Sequence, residues 1–352
     1  MSYNLNKPGF RRIASRICGV FAIMVVAALS SSCVHEFPKT PENRKVTLRI
    51  HHELPWDLFE WTYPKNTRAN DAALCARYII GIYPEGATTE IAYSKTILTR
   101  ADLERVDFSV DIDVPVGRWD IRIWTDNSLT ATGLSPYYNA DDFTSITYAS
   151  PFIGGDSRKD AFVGNISMTV PDVNSEDWGR DTYDVELHRP LTAYAFIATD
   201  LEEFVEQEIT RTRNEAASAG VPPANLPPIS LSDYAVKISY SGFLPSVYHH
   251  FSDRPVDSAT GVSFNTTASQ LNKSEALLGH DFVFINGKES TVRTELDLYH
   301  KDGTHIARVS SFDIPVKRNR CTIVRGEFLT SKATGSTGID PGFDGDFNIE
   351  YK

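Results

Sequence analysis

Sulfur is scarce in this sequence, with four cysteines and three methionines in 352 residues. Cys18 and Cys33 lie near the amino terminus, which leaves Cys75 and Cys321, too few and too far apart for a disulfide framework. They also fall in different halves of the chain, which argues against a bridge between them. Cationic excess is missing as well. A formal net charge of -11 and a pI near 5.3 exclude nucleic acid and an anionic membrane surface as main partners. There is no G-x-S-x-G elbow, no H-E-x-x-H pair and no phosphate-binding glycine loop; the glycines stand singly at turns. The sequence therefore offers no catalytic residue, and no cofactor is expected. After Leu29 no second long apolar run follows, so no transmembrane span is expected downstream.

What is present begins with the leader. Arg11, Arg12 and Arg16 precede an apolar run from Ile17 to Leu29, then come Ser30, Ser31, Ser32 and Cys33. A basic start, a short apolar core and small residues describe a cleaved export signal over residues 1–32. Residues 34–45 are polar, carry two prolines and suit a tether. With 41% hydrophobic and 11% aromatic residues, the remainder is rich enough to bury a core.

From Val46 onward the dominant signal is alternation of apolar and polar residues, the mark of antiparallel sheets with one wet face. Val46 to Ile50 alternates, as do Val110 to Val114 and, after Pro115-Val116-Gly117, Arg118 to Ile123. The latter two runs are expected to form a hairpin. Further strands are expected at 76–83, 160–170 and 183–187, with the domain boundary at 186–191. A strand over 192–198 leads into a helix at 200–219, with Asp200 as N-cap, Glu203 closing a capping box and Gly220 as stop. Strands resume at 234–240, 280–285, 291–299, 304–309, 312–316 and 321–329, with Lys301-Asp302-Gly303 as a hairpin turn. A glycine-rich stretch, 331–345, then carries a closing strand at 346–351. The fold class expected is all-β with one central helix.

Few constellations point to chemistry. His51-His52 and His249-His250 are doublets, but neighbours on a strand point to opposite faces, so no metal site is expected. Asp340, Asp344 and Asp346 lack the EF-hand spacing and its closing Glu, and read as turn caps. Trp119 is in phase with Ile121 and Ile123 and belongs to a core, whereas Trp124 is expected at a sheet margin.

The stretch Leu29 to Cys33 resembles a bacterial lipobox, in which the cysteine is acylated and becomes the new amino terminus. The whole chain resembles the fimbrillin superfamily of Bacteroidales, and within it the FimB-type anchor branch. The resemblance is carried by SSSC ending at Cys33, by KVTLRI, ARYIIGIY, VDIDVPVGRWDIRIWTD and LHRPLTAYAFIATDLEEF, and by the closing TIVRGEFLTS and GIDPGFDGDFNIEY. It implies two tandem transthyretin-like β-sandwich domains, over 46–188 and 189–352, behind a lipid, palmitate included, on Cys33. It further implies a non-enzymatic outer-membrane lipoprotein of a fimbrium, an anchor or structural subunit in cell adhesion. Its partners would be other fimbrial subunits, joined by β-strand addition through Phe347, Asn348, Ile349, Glu350 and Tyr351. Stalk subunits of that family are cut by an arginine-specific protease after their first strand, and Arg44, Arg49 and Arg68 are the positions here that fit. A polysaccharide-binding surface lipoprotein and a secreted hydrolase are the competing readings. The first needs an exposed aromatic platform, the second a nucleophile or converging carboxylates in a cleft.

Overall fold

The structure, a computed structural model, describes residues 43–53, 74–88, 93–99, 107–172, 176, 179, 181–222, 226, 228–330 and 348–351. Its first nine strands are β1 (Asn43–His52), β2 (Leu74–Pro84), β3 (Tyr93–Thr99), β4 (Asp107–Pro115), β5 (Gly117–Leu129), β6 (Tyr138–Asn139), β7 (Ile146–Tyr148), β8 (Phe162–Val170) and β9 (Thr182–His188). After β10 (Leu191–Ala198) comes α1 (Leu201–Ser218), the single α-helix among the described residues. There follow β11 (Tyr234–Tyr240), β12 (Leu244–His249), β13 (Arg254–Ala259), β14 (Ser263–Thr267), β15 (Ser269–Gln270), β16 (Ala276–Phe284), β17 (Glu289–His300), β18 (His305–Lys317), β19 (Cys321–Gly326) and β20 (Asn348–Tyr351). Among the described residues the fold is thus all-β with one α-helix.

Seven strands of the first half form one sheet in the order β3-β2-β5-β8-β9-β1-β4. Alternation decides which side chains turn inward: Val46, Leu48 and Ile50 of β1, Tyr78, Ile80 and Ile82 of β2, and Ile121 and Ile123 of β5 meet in one core. Strands from both ends of the sheet reach that core because the sheet folds over between β8 and β9. Those two share only the pairs Val163 with His188 and Gly164 with Leu187. Gly164 is required there, since a Cβ would stand 2.4 Å from Leu187 Cδ2 and 2.7 Å from the Glu186 carbonyl oxygen.

The expected hairpin between residues 110–114 and 118–123 is not formed. β4 pairs with β1, whereas β5 pairs with β2 and β8. One linking residue, Val116, is too short for the two-residue turn that paired neighbours need. Gly117, at φ +141°, instead sends the chain across from one face of the sandwich to the other. Trp119 packs on the first core, as its phase required, and its indole N–H donates to the Pro115 carbonyl at 2.8 Å, closing the corner.

In the second half, β11, β14, β17 and β18 form one sheet and β15, β16, β10, β19 and β20 another, with a core between them that includes Leu201 and Phe204 of α1. The turn at residues 301–303 joins β17 to β18 as expected, with Gly303 at φ +90°. The two strands expected at 304–309 and 312–316 are one continuous strand. The pairs Thr294 with Phe312 and Leu296 with Val309 leave one extra residue on β18, so Ser310-Ser311 is a bulge and not a turn. A second bulge lies at Leu278 in β16, between the pairs Phe196 with Gly279 and Ile197 with Leu277. It reverses the faces of β16, so Leu278 lies in the carboxy-terminal core whereas Phe282 and Phe284 enter a different one.

That third core joins the halves. Ile79 and Tyr83 from the outer face of β2 and Trp124 from β5 meet Leu191, Ala193, Tyr248, Phe282 and Phe284 there, together with Tyr137, Tyr138 and Ile146. Trp124 is therefore fully buried, edge-on to Tyr138 at 5.3 Å, and not at a sheet margin. The outer face of β5 is covered by residues 137–163. A fourth sheet, β13-β12-β7-β6, takes two strands from each half.

Charged groups pair inside this layer and at its rim. Arg189 donates twice to Asp160 through Nε, at 3.0 Å, once through Nη2 at 2.9 Å, and through Nη1 to Asn319 at 2.7 Å. Asp253, in the left-handed conformation at φ +51°, accepts from Tyr248, from His188 at 3.2 Å and from Arg318 at 2.7 Å. Lys159, on a short 3-10 turn, pairs with Asp281 of β16 at 2.8 Å, and both side chains are inaccessible. Cys75 and Cys321 are free thiols; burial pushes the Cys321 thiol up to about 12. His250 is buried against Phe143, with Nε2 at 2.9 Å from the Ile123 carbonyl, and burial lowers its pKa from 6.5 to about 4.

Two outcomes are expected. Gly164→Ala forces backbone at the narrowest part of the first sheet and should lower stability by about 1–3 kcal/mol, read as a lower urea midpoint. Between pH 6.5 and about 4 the unfolded chain protonates His250 and the folded one does not. Stability should therefore fall with pH across that window, by about 3 kcal/mol for this group. Urea midpoints measured from pH 7 to pH 4 should show a shallower decline in His250→Gln.

Candidate functional site

The site worth building is the edge of the five-stranded sheet where the chain ends. β10 and β19 are parallel, with Ala193 opposite Cys321 and Ala198 opposite Gly326. Ile323 and Val324 are both buried, as a strand covered on two faces requires. β20 then lies parallel to β19, Asn348 opposite Ile323, Ile349 opposite Val324, Glu350 opposite Arg325 and Tyr351 opposite Gly326. Among the described residues it has a neighbour on one side only. An edge of this kind is held by main-chain bonds along one side and presents free N–H and C=O groups along the other.

Between the two strands the chain is pinned before it leaves. Phe328 and Leu329 are buried in the carboxy-terminal core, the ring of Phe328 edge-on to Phe196 at 6.0 Å. The Leu329 and Thr330 amides donate to the Asp200 carboxylate at 3.0 and 2.8 Å. Asp200 thus stands at the N-cap position of α1, but its side chain does not cap that helix. The first turn of α1 is served by the Phe204 amide bonding to the Asp200 carbonyl at 2.9 Å, and Glu202 and Glu203 oppose the helix dipole. The expected capping box is replaced by an anchor for residues 329–330. No local spacing announces this role, because the partners are 129 and 130 residues away.

β1 is the other strand the sequence singles out. It lies inside the seven-stranded sheet, antiparallel to β4 and parallel to β9. Its outer face is held by polar pairs: Lys45 with Asp111 at 2.7 Å, Thr47 with Asp111 at 2.8 Å and His51 with Asp184 at 3.1 Å. Arg44 donates to Asp181 at 2.6 Å and to the Pro171 carbonyl at 3.4 Å, and its side chain is 12% exposed. Arg49 is exposed, in register with Ser109 on one side and Asp184 on the other. Residues 47–51 are paired along both edges, residues 43–46 along β4 alone. Cys33, Arg68, Phe347 and the aspartates 340, 344 and 346 lie outside the described residues. The structure brings Asn348 to Tyr351 together with β19, and Arg44 and Arg49 together on β1; it does not bring the two groups together.

The remaining sequence candidates are structural in place. His52 is buried against Tyr78 and Phe162, while His51 faces out to Asp184. His250 belongs to a 3-10 turn and not to a strand, and is buried beside the partly exposed His249. With Trp119 on the first core and Trp124 in the shared one, neither is placed as part of an exposed aromatic platform.

Comparison with known proteins comes down to one family and several solved structures. No curated protein matches the chain. Among solved structures the chain is similar to a candidate adhesin from Bacteroides ovatus, at 13% identity over 88% of this chain and 93% of that one, with a TM-score of 0.40. It is similar to the fimbrial anchor protein Mfa2 from Porphyromonas gingivalis, at 10% identity over 76% and 82%, with a TM-score of 0.36. A fimbrial assembly protein from Parabacteroides distasonis matches at 10% identity over 80% and 90%, with a TM-score of 0.35. The family is another matter, since its model runs through both halves and every strand described above: residues 39–352 match, and the chain belongs to the family of unknown function DUF6562.

Proposed function

We propose that the protein is a non-enzymatic outer-membrane lipoprotein of a fimbrium, an anchor or structural subunit of the FimB type that supports cell adhesion. Cys33 carries the lipid, palmitate included. Burying acyl chains is worth roughly 0.8 kcal/mol per methylene, so several chains on one cysteine hold the protein at a membrane without a spanning helix. Two transthyretin-like sandwiches, 46–188 and 189–352, act as the spacer. Other fimbrial subunits join by strand addition.

The observation that supports this reading is the pairing of β20 along one edge, parallel to β19, as the last strand of the chain. Main-chain bonds provide affinity in such an exchange and alternating side chains provide register. Phe347, Ile349 and Tyr351 alternate with Asn348 and Glu350, the same pattern as Val46, Leu48 and Ile50 of β1. A closing strand of that pattern fits a groove of the kind β1 fills. The anchor role is favoured by the setting of Arg44 and Arg49, which lie on a strand paired within its sheet. A protease needs an extended, unpaired segment, so cutting after either residue requires β1 to leave the sheet first.

Two experiments test the reading. Deleting Asp346 to Lys352 should leave an exported, folded lipoprotein that no longer joins other subunits on a native gel; normal assembly by the truncated chain would refute strand donation. Intact-mass and amino-terminal analysis of protein from native outer membranes, with and without arginine-specific protease activity, should give an acylated Cys33 in both samples. A new terminus after Arg44, Arg49 or Arg68 would make it a polymerising subunit instead, and an unlipidated start would remove the anchor.

A further inference from the structure

Lys159 is one of the largest fully buried side chains of the protein, and its environment is built to hold it in one place. The turn that presents it, Ser157–Lys159, starts at Asp156, whose carboxylate accepts from the Arg158 amide at 3.0 Å, from the Arg158 guanidinium at 2.7 Å and from Tyr137 at 2.7 Å. The Lys159 carbonyl accepts from Tyr138 at 2.7 Å. Its ammonium nitrogen lies over the rings of Phe152, 4.0 Å from the centroid, and Tyr148, at 4.6 Å. One carboxylate meets it there: Asp281 Oδ1, at 2.8 Å. The other oxygen, Oδ2, accepts from the Tyr240 hydroxyl at 2.5 Å, and Tyr240 in turn accepts from Tyr194 at 2.8 Å.

A simple ion pair gains little from such a place, because taking both charges out of water costs about as much as their attraction returns. Burial also disfavours the charged form of Lys159 and lowers its pKa. An amine held at 2.8 Å from a carboxyl group, both shut off from water, puts the two partners of amide formation in place. We propose that Lys159 and Asp281 become joined by an isopeptide bond, formed by the chain itself with loss of one water, that links the loop before β8 to β16.

The atoms balance without any co-reactant. Lys159 Nζ adds to Cγ of Asp281, forming the C–N bond. The ammonium gives two protons to Oδ1, the Cγ–Oδ1 bond breaks, Oδ1 leaves as water, and Nζ keeps one proton as the amide N–H. Tyr240 donates to Oδ2 throughout, where the negative charge of the tetrahedral adduct collects, and Tyr194 supports that hydroxyl. Fixed contact between reactants corresponds to effective molarities on the order of 10⁵ to 10⁸ M, which offsets the preference of free amines and acids for the separated ions in water.

The test is peptide mapping of the full chain after denaturation and trypsin digestion. Lys159 blocked by an amide is not cut, so the expected product is one branched peptide, residues 159–180 joined to 274–288, lighter by one water than the two together. Recovery of linear 160–180 and 274–288 as the main products would overturn the proposal, and this reading of the wild-type chain does not depend on any variant folding. In Lys159→Arg only linear peptides are expected. Tyr240→Phe, which keeps the ring and removes the donor to Oδ2, should leave a substantial linear fraction; complete cross-linking in that variant would overturn the role given to Tyr240.

Discussion

β2 and β10 have no face to give to water, and much of the architecture follows from them. β2 turns Tyr78, Ile80 and Ile82 into the first core and Ile79 and Tyr83 into the shared one. β10 turns Tyr194, Phe196 and Ala198 into the carboxy-terminal core and Leu191 and Ala193 into the shared one. A sheet strand buried on both sides needs a cover on each, at about 25 cal/mol per Å² of apolar surface. The cover for both is the same aromatic layer of residues 137–163 and 248–284. The halves are held at that layer by packing, and the buried polar contacts of Lys159 and Arg189, with the exposed ones of Asp253 at the rim, fix where it sits.

Those polar contacts share a geometry. Arg189 reaches Asp160, Lys159 reaches Asp281, and Arg318 and His188 reach Asp253, each from a different element. Apolar packing tolerates sliding, whereas a bidentate or caged ion pair has one productive position. The layer between the sandwiches thus has an adhesive component and a positional one.

Alternation made the strands legible where one face is wet. β1, β9 and β11 lie where period-two reading puts them, and α1 where its apolar face and Gly220 put it. The reading failed for physical reasons. β12, β13 and β14 are largely exposed or half-buried, so they carry no alternating apolar signal. The β4 to β5 connection looks like a hairpin because sequence shows two strands and a glycine, but not the sheet that each will join. Trp124 reads as a sheet-margin residue because the residues that cover it belong to a separate loop and to the other half. Asp200 had the right spacing for a cap, and a distant segment took its carboxylate instead. At the chain end, the closing strand was legible from composition, but its parallel partner was not.

The mixed sheet β13-β12-β7-β6 also bears on how such a gene is free to change. Chains built of separable modules diversify by recombination at the linker, since each piece keeps its own interior. Here a crossover near residue 189 would hand Trp124 and Tyr138 to one descendant and Tyr248 and Phe284 to another, each with its aromatic partners gone. Exchange of either half alone would therefore open the shared core, whereas changes in loops and at outward-facing strand positions leave it intact.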